Sequence, residues 1–529
     1  MKKPKILGVM MDMSRNAVMT IDALKKYFVS LRKMGYNFVM LYTEDIYEVD
    51  GEPFFGYMRG RYSKEELKEL DAFAAELGIE LVPCIQTLAH LDAFVRWGKV
   101  PTDADVTLMV DEPRVYEFIE NCVKACRECF RSKYLHIGMD EAFGLGRGKH
   151  IDKYGYEPRI DMFRRHLGRV NEIVKKYDFS TLMWIDMFFA CVSNGQFTQP
   201  KREMPKLAKE ALPKDIIPIY ADYYWSGDKG WAYDAMLYNS KQLSEEVWFA
   251  GGVWTWGGFL PNNSFSFDTM TPALQACRDH KIENILFCLW GDDGAECSRY
   301  GVLPALYRFS QMVKGNDDEE KIRRGFRRIF GAEYDAFMSL DKLNYLIDNW
   351  KFEDNLPKEA LYNDYFHGIY NVRLQEGKTD YIGEVAAEWH GYAKKYRKYA
   401  PLFESAACLA DVLAIKYDLG IRTRAAYKAG DKDALRKLAN EDYATVKKRI
   451  ERFAAAFEKQ WMAENKPFGF EIQHARLGGL VMRTDACRRR ILDYVNGKLE
   501  KIDELEVELL PDAASRTFSY KRLISPCRI

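Results

Sequence analysis

The N-terminal part of the chain, up to residue 312, alternates short apolar runs with stretches whose apolar residues recur at helical spacing. Eight runs have the length of buried strands, namely residues 5–11, 37–42, 79–86, 134–140, 181–186, 216–222, 248–254 and 284–290. Eight strands in alternation with helices predict a (β/α)8 barrel, the TIM barrel, in the α/β class. An open doubly wound sheet is the alternative, but it usually has fewer strands, and no glycine fingerprint follows the first run.

The pattern changes after residue 312. From residue 313 onward we find no alternation of strands, and the stretches are long, charged and amphipathic. We therefore predict two domains, a (β/α)8 barrel over residues 1–312 and a mainly α-helical C-terminal domain over residues 313–529. The helical domain would pack on the barrel or on a second subunit, so a homodimer is one expected state.

Charge and composition exclude several classes of function. The chain has 529 residues, with 78 Lys and Arg and 78 Asp and Glu, so its formal net charge is zero. This balance argues against binding to nucleic acid or a membrane surface, which usually needs a basic field. We find no stretch of about 20 apolar residues, so the sequence predicts no membrane span. The N-terminal apolar run is short and lacks a cleavage site, and the 11 cysteines are scattered, so we expect a reduced protein in the cytoplasm.

Cys122, Cys126 and Cys129 have a spacing that some iron–sulfur enzymes use. The surrounding apolar residues recur at helical spacing, however, which favours three buried thiols on one face of a helix. The whole chain has 8 histidines. Too few of them lie near the predicted strand ends to form the metal site of a metal-dependent hydrolase barrel. We therefore predict no metal and no other cofactor, with a cation held by carboxylates alone as the less favoured alternative.

The active site of a TIM barrel lies at the C-terminal ends of its strands. Aromatic and charged residues follow nearly every predicted strand: Asp12, Arg15, Glu44, Asp45, His90, Asp92, Asp140, Glu141, Trp184, Asp186, Asp222, Tyr223, Tyr224, Trp225, Trp254, Trp256, Trp290, Asp292, Asp293 and Glu296. Aromatic rings stack on the apolar faces of sugars, and carboxylates and arginine bind their hydroxyls. The sequence therefore predicts a pocket for a polyhydroxylated ring.

The fourth strand ends in two adjacent carboxylates, Asp140 and Glu141. Alternation along the strand places His136 and Asp140 on the inward face, with Glu141 on the rim. Two neighbouring acids repel each other, which favours a chemical role for the pair. The glycines of residues 144–148 resemble a phosphate loop only weakly, and they are expected to shape the loop after the acids.

The run H-I-G-M-D-E at residues 136–141 matches the H-x-G-x-D-E motif of glycoside hydrolase family 20, the β-N-acetylhexosaminidases. The resemblance extends over residues 5–312, through similar segments at residues 10–16, 77–90, 184–186, 254–256 and 290–292. Three departures stand out. Leu88 and Ala89 replace the family's Pro-Gly, Asp292 replaces a glutamate, and the small domain often found before the barrel is missing. The sequence resembles a compact bacterial-type branch with an added helical domain.

The resemblance implies an exo-acting, retaining β-N-acetylhexosaminidase that uses substrate-assisted catalysis. The substrate would be a glycan or glycoconjugate with a terminal β-linked N-acetylhexosamine, whose acetamido oxygen attacks the anomeric carbon to form an oxazolinium ion. Glu141 would be the general acid and base, and Asp140 would orient the acetamido group. The expected substrate-binding residues are Arg15, His90, Trp184, Tyr224, Trp254, Trp290 and Asp292.

Several assignments stay open at this point. Tyr223 is an alternative to Tyr224 for the acetamido oxygen, and Asp293 and Glu296 compete with Asp292 for the sugar hydroxyls. An ordinary retaining glycosidase would use Glu141 as acid and a strand-end carboxylate such as Asp292 as nucleophile. A sugar-binding barrel without turnover is the third alternative.

Overall fold

The computed structural model describes residues 4–193, 195–348, 350–351, 354–511 and 524. Eight parallel strands pair in chain order and close into a barrel, which confirms the predicted TIM barrel. They are β1 (Ile6–Asp12), β2 (Phe38–Tyr42), β3 (Glu80–Cys84), β4 (Tyr134–His136), β5 (Ser180–Trp184), β6 (Ile217–Ala221), β7 (Trp248–Gly252) and β8 (Asn284–Leu289).

The helices are numbered in chain order. Those from the part of the chain that contains the strands are α1 (Ile21–Met34), α2 (Lys64–Glu76), α3 (Asp92–Val95), α4 (Pro113–Cys129), α5 (Lys149–Tyr154), α6 (Arg159–Lys176), α7 (Asp186–Val192), α8 (Lys206–Ala211), α9 (Trp231–Lys241), α10 (Asn263–Asp279), α11 (Leu303–Val313) and α12 (Glu319–Phe330). Those of the C-terminal part are α13 (Tyr334–Met338), α14 (Leu356–Tyr362), α15 (Thr379–Lys395), α16 (Ala400–Lys428), α17 (Lys432–Lys437), α18 (Ala444–Glu464), α19 (Phe470–Val495) and α20 (Asp503–Glu506). No helix in the described ranges is long and apolar enough to span a membrane.

Local sequence explains where the barrel helices begin. Thr20 caps α1, because its hydroxyl oxygen accepts the backbone N–H of Ala23 at 3.2 Å. Ser63 and Glu66 form a reciprocal capping box at the start of α2.

Large side chains from the strands fill the barrel interior, so the site can lie only at its mouth. The interior cluster includes Met10, Met40, Val82, Leu182, Trp184, Ile219, Trp248 and Leu286.

The fourth strand is shorter than the sequence predicts. Regular pairing ends at His136, whereas the apolar pattern continues to residue 140. Gly138 has φ of 72° and Met139 has φ of 77°, which lie in the left-handed region that a strand does not use. The chain therefore leaves the sheet before it reaches the two acids.

The three cysteines of α4 lie as predicted. Cys122, Cys126 and Cys129 are buried along one face of that helix. The cysteines in the described ranges are free thiols.

The chain divides into two compact units. The first contains Met1–Trp254, Asn263–Gly291 and Pro304–Phe330, and it holds the barrel. The second contains Thr255–Asn262, Asp292–Leu303 and Gly331–Ile529, with long helices that pack side by side. The boundary predicted between residues 312 and 313 falls at the end of α11, within the first unit.

Candidate active site

The two adjacent acids share one histidine at the barrel mouth. The Nε2 atom of His90, in the loop after β3, lies 3.2 Å from Oδ2 of Asp140 and 3.6 Å from Oε2 of Glu141. The side-chain amide of Gln86 donates to Oδ1 of Asp140 at 2.7 Å and to the hydroxyl of Tyr42 at 2.8 Å. The Asp140 side chain is 13% exposed and that of Glu141 is 56% exposed. Asp140 is thus the inner acid and Glu141 the outer one, as the sequence predicts.

The surroundings give the three groups different protonation. Burial by itself lowers the pKa of His90, but the charge and hydrogen bond of Asp140, with Glu44 and Glu141, outweigh it and raise the pKa to about 10. Burial raises the pKa of Asp140, yet His90 and Gln86 together hold that pKa below its usual value. Partial burial and the charge of Asp140 raise the pKa of Glu141 against the opposing charge of His90. Near neutral pH the site therefore holds an imidazolium, a fixed anion and an acid that retains its proton more readily than usual.

The glycine of the H-x-G-x-D-E motif is required by close packing. A Cβ atom on Gly138 would lie 2.2 Å from Oε1 of Gln86 and 2.9 Å from the carbonyl oxygen of Ile85, and its φ is already left-handed. Just beyond it, the backbone N–H of Glu141 donates to Oδ2 of Asp186 at 3.2 Å. Burial, followed by the charge of Asp140, raises the pKa of Asp186 to about 8. Gln86 therefore holds the side chain of Asp140, and Asp186 holds the backbone of Glu141.

The glycine-rich loop after the acids is held by a carboxylate of the protein itself. The side chain of Asp103, which is 5% exposed, accepts the backbone N–H groups of Gly146, Gly148 and His150 at 2.6, 2.9 and 2.9 Å. A Cβ atom on Gly148 would lie 2.8 Å from the backbone nitrogen of Ala104. These N–H groups are already used, so the loop is a structural anchor and not a phosphate site, in agreement with the sequence prediction.

Arg15 lies at the mouth between two buried acids. Its Nε atom is 3.8 Å from Oδ2 of Asp12, and its Nη1 atom is 3.7 Å from Oε1 of Glu44. Burial raises the pKa of Glu44 to about 7, although Arg15 opposes that shift. Asp12 also accepts the N–H and hydroxyl of Ser14 and the N–H of Gly291, so it ties the end of β1 to the end of β8. These two acids orient the guanidinium, and the Arg15 side chain remains 29% exposed.

Aromatic rings line the same end of the barrel. The rings of Trp184 and Trp290 have centroids 6.0 Å apart, and Tyr42 meets Trp290 edge-on at 4.9 Å. Trp254 meets Tyr224 edge-on at 5.7 Å, and its indole N–H donates to the carbonyl oxygen of Tyr223 at 3.2 Å. The structure thus pairs Trp184, at the end of β5, with Trp290, just after β8, and Tyr224, after β6, with Trp254, after β7.

Asp292 directly follows Gly291 in the chain and belongs to the second unit. Its competitor Glu296 is fully engaged within that unit. One Glu296 oxygen lies 2.5 Å from Nζ of Lys358, and the other lies 2.7 Å from Arg476 and 3.0 Å from the amide of Gln473. The Glu296 side chain is 1% exposed, so it serves as a buried ion pair and not as a sugar ligand.

One group of potential metal ligands appears among the described residues, and it belongs to the second unit. Ligand atoms of His390, Cys408 and Asp411, on α15 and α16, lie within 4.8 Å of one another. The two imidazole nitrogens already face Glu404 and Asp411, each at 2.9 Å. Arg452 contacts the same two acids, so the charges of this group are balanced by side chains.

Sequence reasoning missed the residues that hold the acids and the glycine-rich loop after them in place. Gln86, Tyr42 and Asp103 carry no motif of their own, and Asp186 was placed at the mouth without a role. The alternate glycines after Glu141 were the one signal for Asp103, since exposed N–H groups in such a loop need an acceptor.

A closed parallel barrel with a carboxylate pair and tryptophans at the C-terminal ends of its strands is an arrangement typical of glycoside hydrolases. Comparison with known families gives a narrower result. Residues 48–202 match the catalytic domain of glycosyl hydrolase family 20, and residues 335–524 match the glycoside hydrolase 20C C-terminal domain. The chain belongs to glycoside hydrolase family 20 and carries the C-terminal domain of its 20C group.

Two curated relatives are named hexosaminidase D. The bovine protein is 22% identical over 271 residues, which cover 49% of this chain and 72% of that protein. The human protein is 22% identical over 217 residues, which cover 38% of this chain and 42% of that protein.

Similar solved structures come from bacteria. An exo β-N-acetylglucosaminidase from Vibrio harveyi shares 14% identity at a TM-score of 0.47, covering 64% of this chain and 59% of that one. A β-hexosaminidase from Streptomyces plicatus shares 18% identity at a TM-score of 0.45, covering 62% of this chain and 69% of that one.

Proposed function

We propose that this protein is an exo-acting, retaining β-N-acetylhexosaminidase that removes terminal N-acetylglucosamine or N-acetylgalactosamine by substrate-assisted catalysis. The observation that carries the proposal is the unequal acid pair of a family 20 domain. Asp140 is held as an anion by His90 and Gln86, while Glu141 has a raised pKa and faces the solvent. Each acid therefore suits a different part of the reaction.

In the first step, the carbonyl oxygen of the substrate's acetamido group attacks the anomeric carbon. Glu141 gives its proton to the leaving oxygen, the glycosidic bond breaks, and an oxazolinium ion forms. Asp140 accepts the acetamido N–H and stabilises the positive charge that develops on the group. In the second step, Glu141 takes a proton from water, and the water oxygen opens the oxazolinium ring with overall retention.

The remaining pocket residues are assigned to the sugar. The pocket around the pyranose ring would be lined by Trp184, Trp254 and Trp290. The hydroxyl of Tyr224 would donate to the acetamido oxygen. Arg15, which follows β1, and His90, which follows β3, would bind hydroxyls of the sugar.

Substrate choice tests the function directly. Purified protein should cleave aryl β-glycosides of N-acetylglucosamine or N-acetylgalactosamine and leave the matching glucosides and galactosides almost untouched, because these lack the internal nucleophile. The rate constants can be measured by release of the phenol, with and without EDTA. EDTA should leave the rates unchanged. Comparable rates on the plain galactoside would favour an ordinary retaining glycosidase instead.

Arg15→Ala should weaken the enzyme without unfolding it. Asp12 keeps its donors from Ser14 and Gly291, so the strand ends stay joined. Losing charged hydrogen bonds to sugar hydroxyls should lower kcat/KM about 10- to 100-fold. The matched control is Arg164→Ala, an exposed arginine of α6. Wild-type kcat/KM in Arg15→Ala would remove this residue from the sugar site.

A further inference from the structure

An exposed phenylalanine stands beside the outer acid. Phe143 follows Glu141 by two residues and is 47% exposed. Its backbone N–H donates to the carbonyl oxygen of Glu141 at 2.7 Å, so the two residues share one tight turn. A large apolar side chain gains nothing from water, and its exposure next to a catalytic acid suggests contact with a ligand.

A second ring from another loop completes a surface. Phe197, in the segment after β5, has its ring centroid 5.7 Å from that of Phe143, with the ring planes at 57°. The two rings thus form an angled pair. The loop that carries Phe143 continues into the segment that Asp103 holds through three backbone N–H groups, so the backbone of this loop is anchored close to the ring in the sequence. We name Phe143 and Phe197 the aromatic pair.

We propose that the aromatic pair is the leaving-group subsite and binds the pyranose ring to which the terminal N-acetylhexosamine is attached. This inference rests on the proposed function. A general acid must come within about 3 Å of the glycosidic oxygen, so the first residue of the leaving group lies next to Glu141. The C–H faces of a pyranose ring are apolar and fit against aromatic rings. The substrate class is therefore a glycan whose terminal hexosamine is linked to another sugar.

The test compares two substrates that differ only in the leaving group. One is the β-linked disaccharide of two N-acetylglucosamine residues, and the other is methyl β-N-acetylglucosaminide, whose leaving group has no ring. The readout is the ratio of kcat/KM for the disaccharide to kcat/KM for the methyl glycoside. Phe143→Ala and Phe197→Ala should each lower this ratio about fivefold to tenfold, the scale of one aromatic contact. Phe143→Tyr keeps a ring and should retain the wild-type ratio.

The control is Phe468→Ala, which removes a phenylalanine of the second unit that is 42% exposed and should leave the ratio as in the wild type. A ratio that stays within about twofold of wild type in both alanine variants would overturn the subsite. An equal loss on both substrates gives that same unchanged ratio and would mean that Phe143 only supports Glu141. If the wild type cleaves neither these two substrates nor the matching N-acetylgalactosaminides, the proposed function itself fails, which is a different outcome from an unchanged ratio.

Discussion

Glu141→Gln should almost abolish cleavage of sugar–sugar linkages and have a much smaller effect on substrates with acidic leaving groups. A leaving group that is a sugar hydroxyl departs only when its oxygen receives a proton. An acidic phenol such as dinitrophenol departs without one. General acid catalysis is typically worth about 10²–10⁴-fold, which sets the expected loss for the disaccharide. Steady-state kcat/KM on the disaccharide and on a series of aryl glycosides measures the difference.

The pH profile gives a second readout for Glu141. Its raised pKa means that the proton is lost as the pH rises through that value, so the wild-type rate on poor leaving groups should fall on the alkaline side. The glutamine variant has no proton to lose and should lack this limb. His90, with a pKa of about 10, stays charged over the same range.

Glu141 also takes the proton from water in the second step, so part of the loss should persist even for good leaving groups. Azide is an anion that needs no general base, and it should restore turnover of the dinitrophenyl substrate by forming a β-glycosyl azide. Glu172→Gln changes an exposed glutamate of α6 and serves as the control. The assignment is wrong if Glu141→Gln loses the same factor on every leaving group.

The barrel could be predicted because strands buried on both faces appear as continuous apolar runs. The run at residues 37–42 became β2 (Phe38–Tyr42), and the run at residues 284–290 became β8 (Asn284–Leu289). The fourth strand shows the limit of this reasoning. Its pattern of side chains continues past His136, but the backbone at Gly138 is left-handed and packs closely against Gln86, which lies far away in the sequence.

The candidate site could be predicted only in part, because the sequence locates the strand ends but not the contacts between the loops that follow them. A strand end can be located from the sequence, so Asp140 and Glu141 could be placed at the mouth. Which of them is the anion depends on His90 and Gln86, and those contacts exist only after the loops following β3 and β4 have folded together. The grouping of Thr255–Asn262 and Asp292–Leu303 with the helical unit likewise gives no signal in the apolar pattern.

Asp140→Asn should lower kcat/KM by about 10²–10³-fold for good and poor leaving groups alike. The substitution removes the charge that orients the acetamido group and stabilises the oxazolinium ion, and this service does not depend on the leaving group. It should also lower the pKa of His90, because the charge and hydrogen bond of Asp140 are the largest influences that raise it. Kinetics over the same aryl series and NMR titration of His90 measure the two effects. Asp152→Asn, an exposed aspartate on α5, is the matched control.

The same variant separates the two mechanisms that a retaining glycosidase can use. A cyclic thiazoline resembles the oxazolinium ion, so it should inhibit the wild type and bind far more weakly to Asp140→Asn, which lacks the anion facing the ring nitrogen. A fluorinated sugar that traps covalent glycosyl-enzymes should leave no adduct on the wild type, since the nucleophile belongs to the substrate. Mass spectrometry that found the sugar on a carboxylate of this chain, such as Asp292, would replace the substrate-assisted scheme with an ordinary double displacement. A thiazoline that bound both proteins equally would remove Asp140 from the acetamido site, because charge stabilisation is the one role that an asparagine cannot take over.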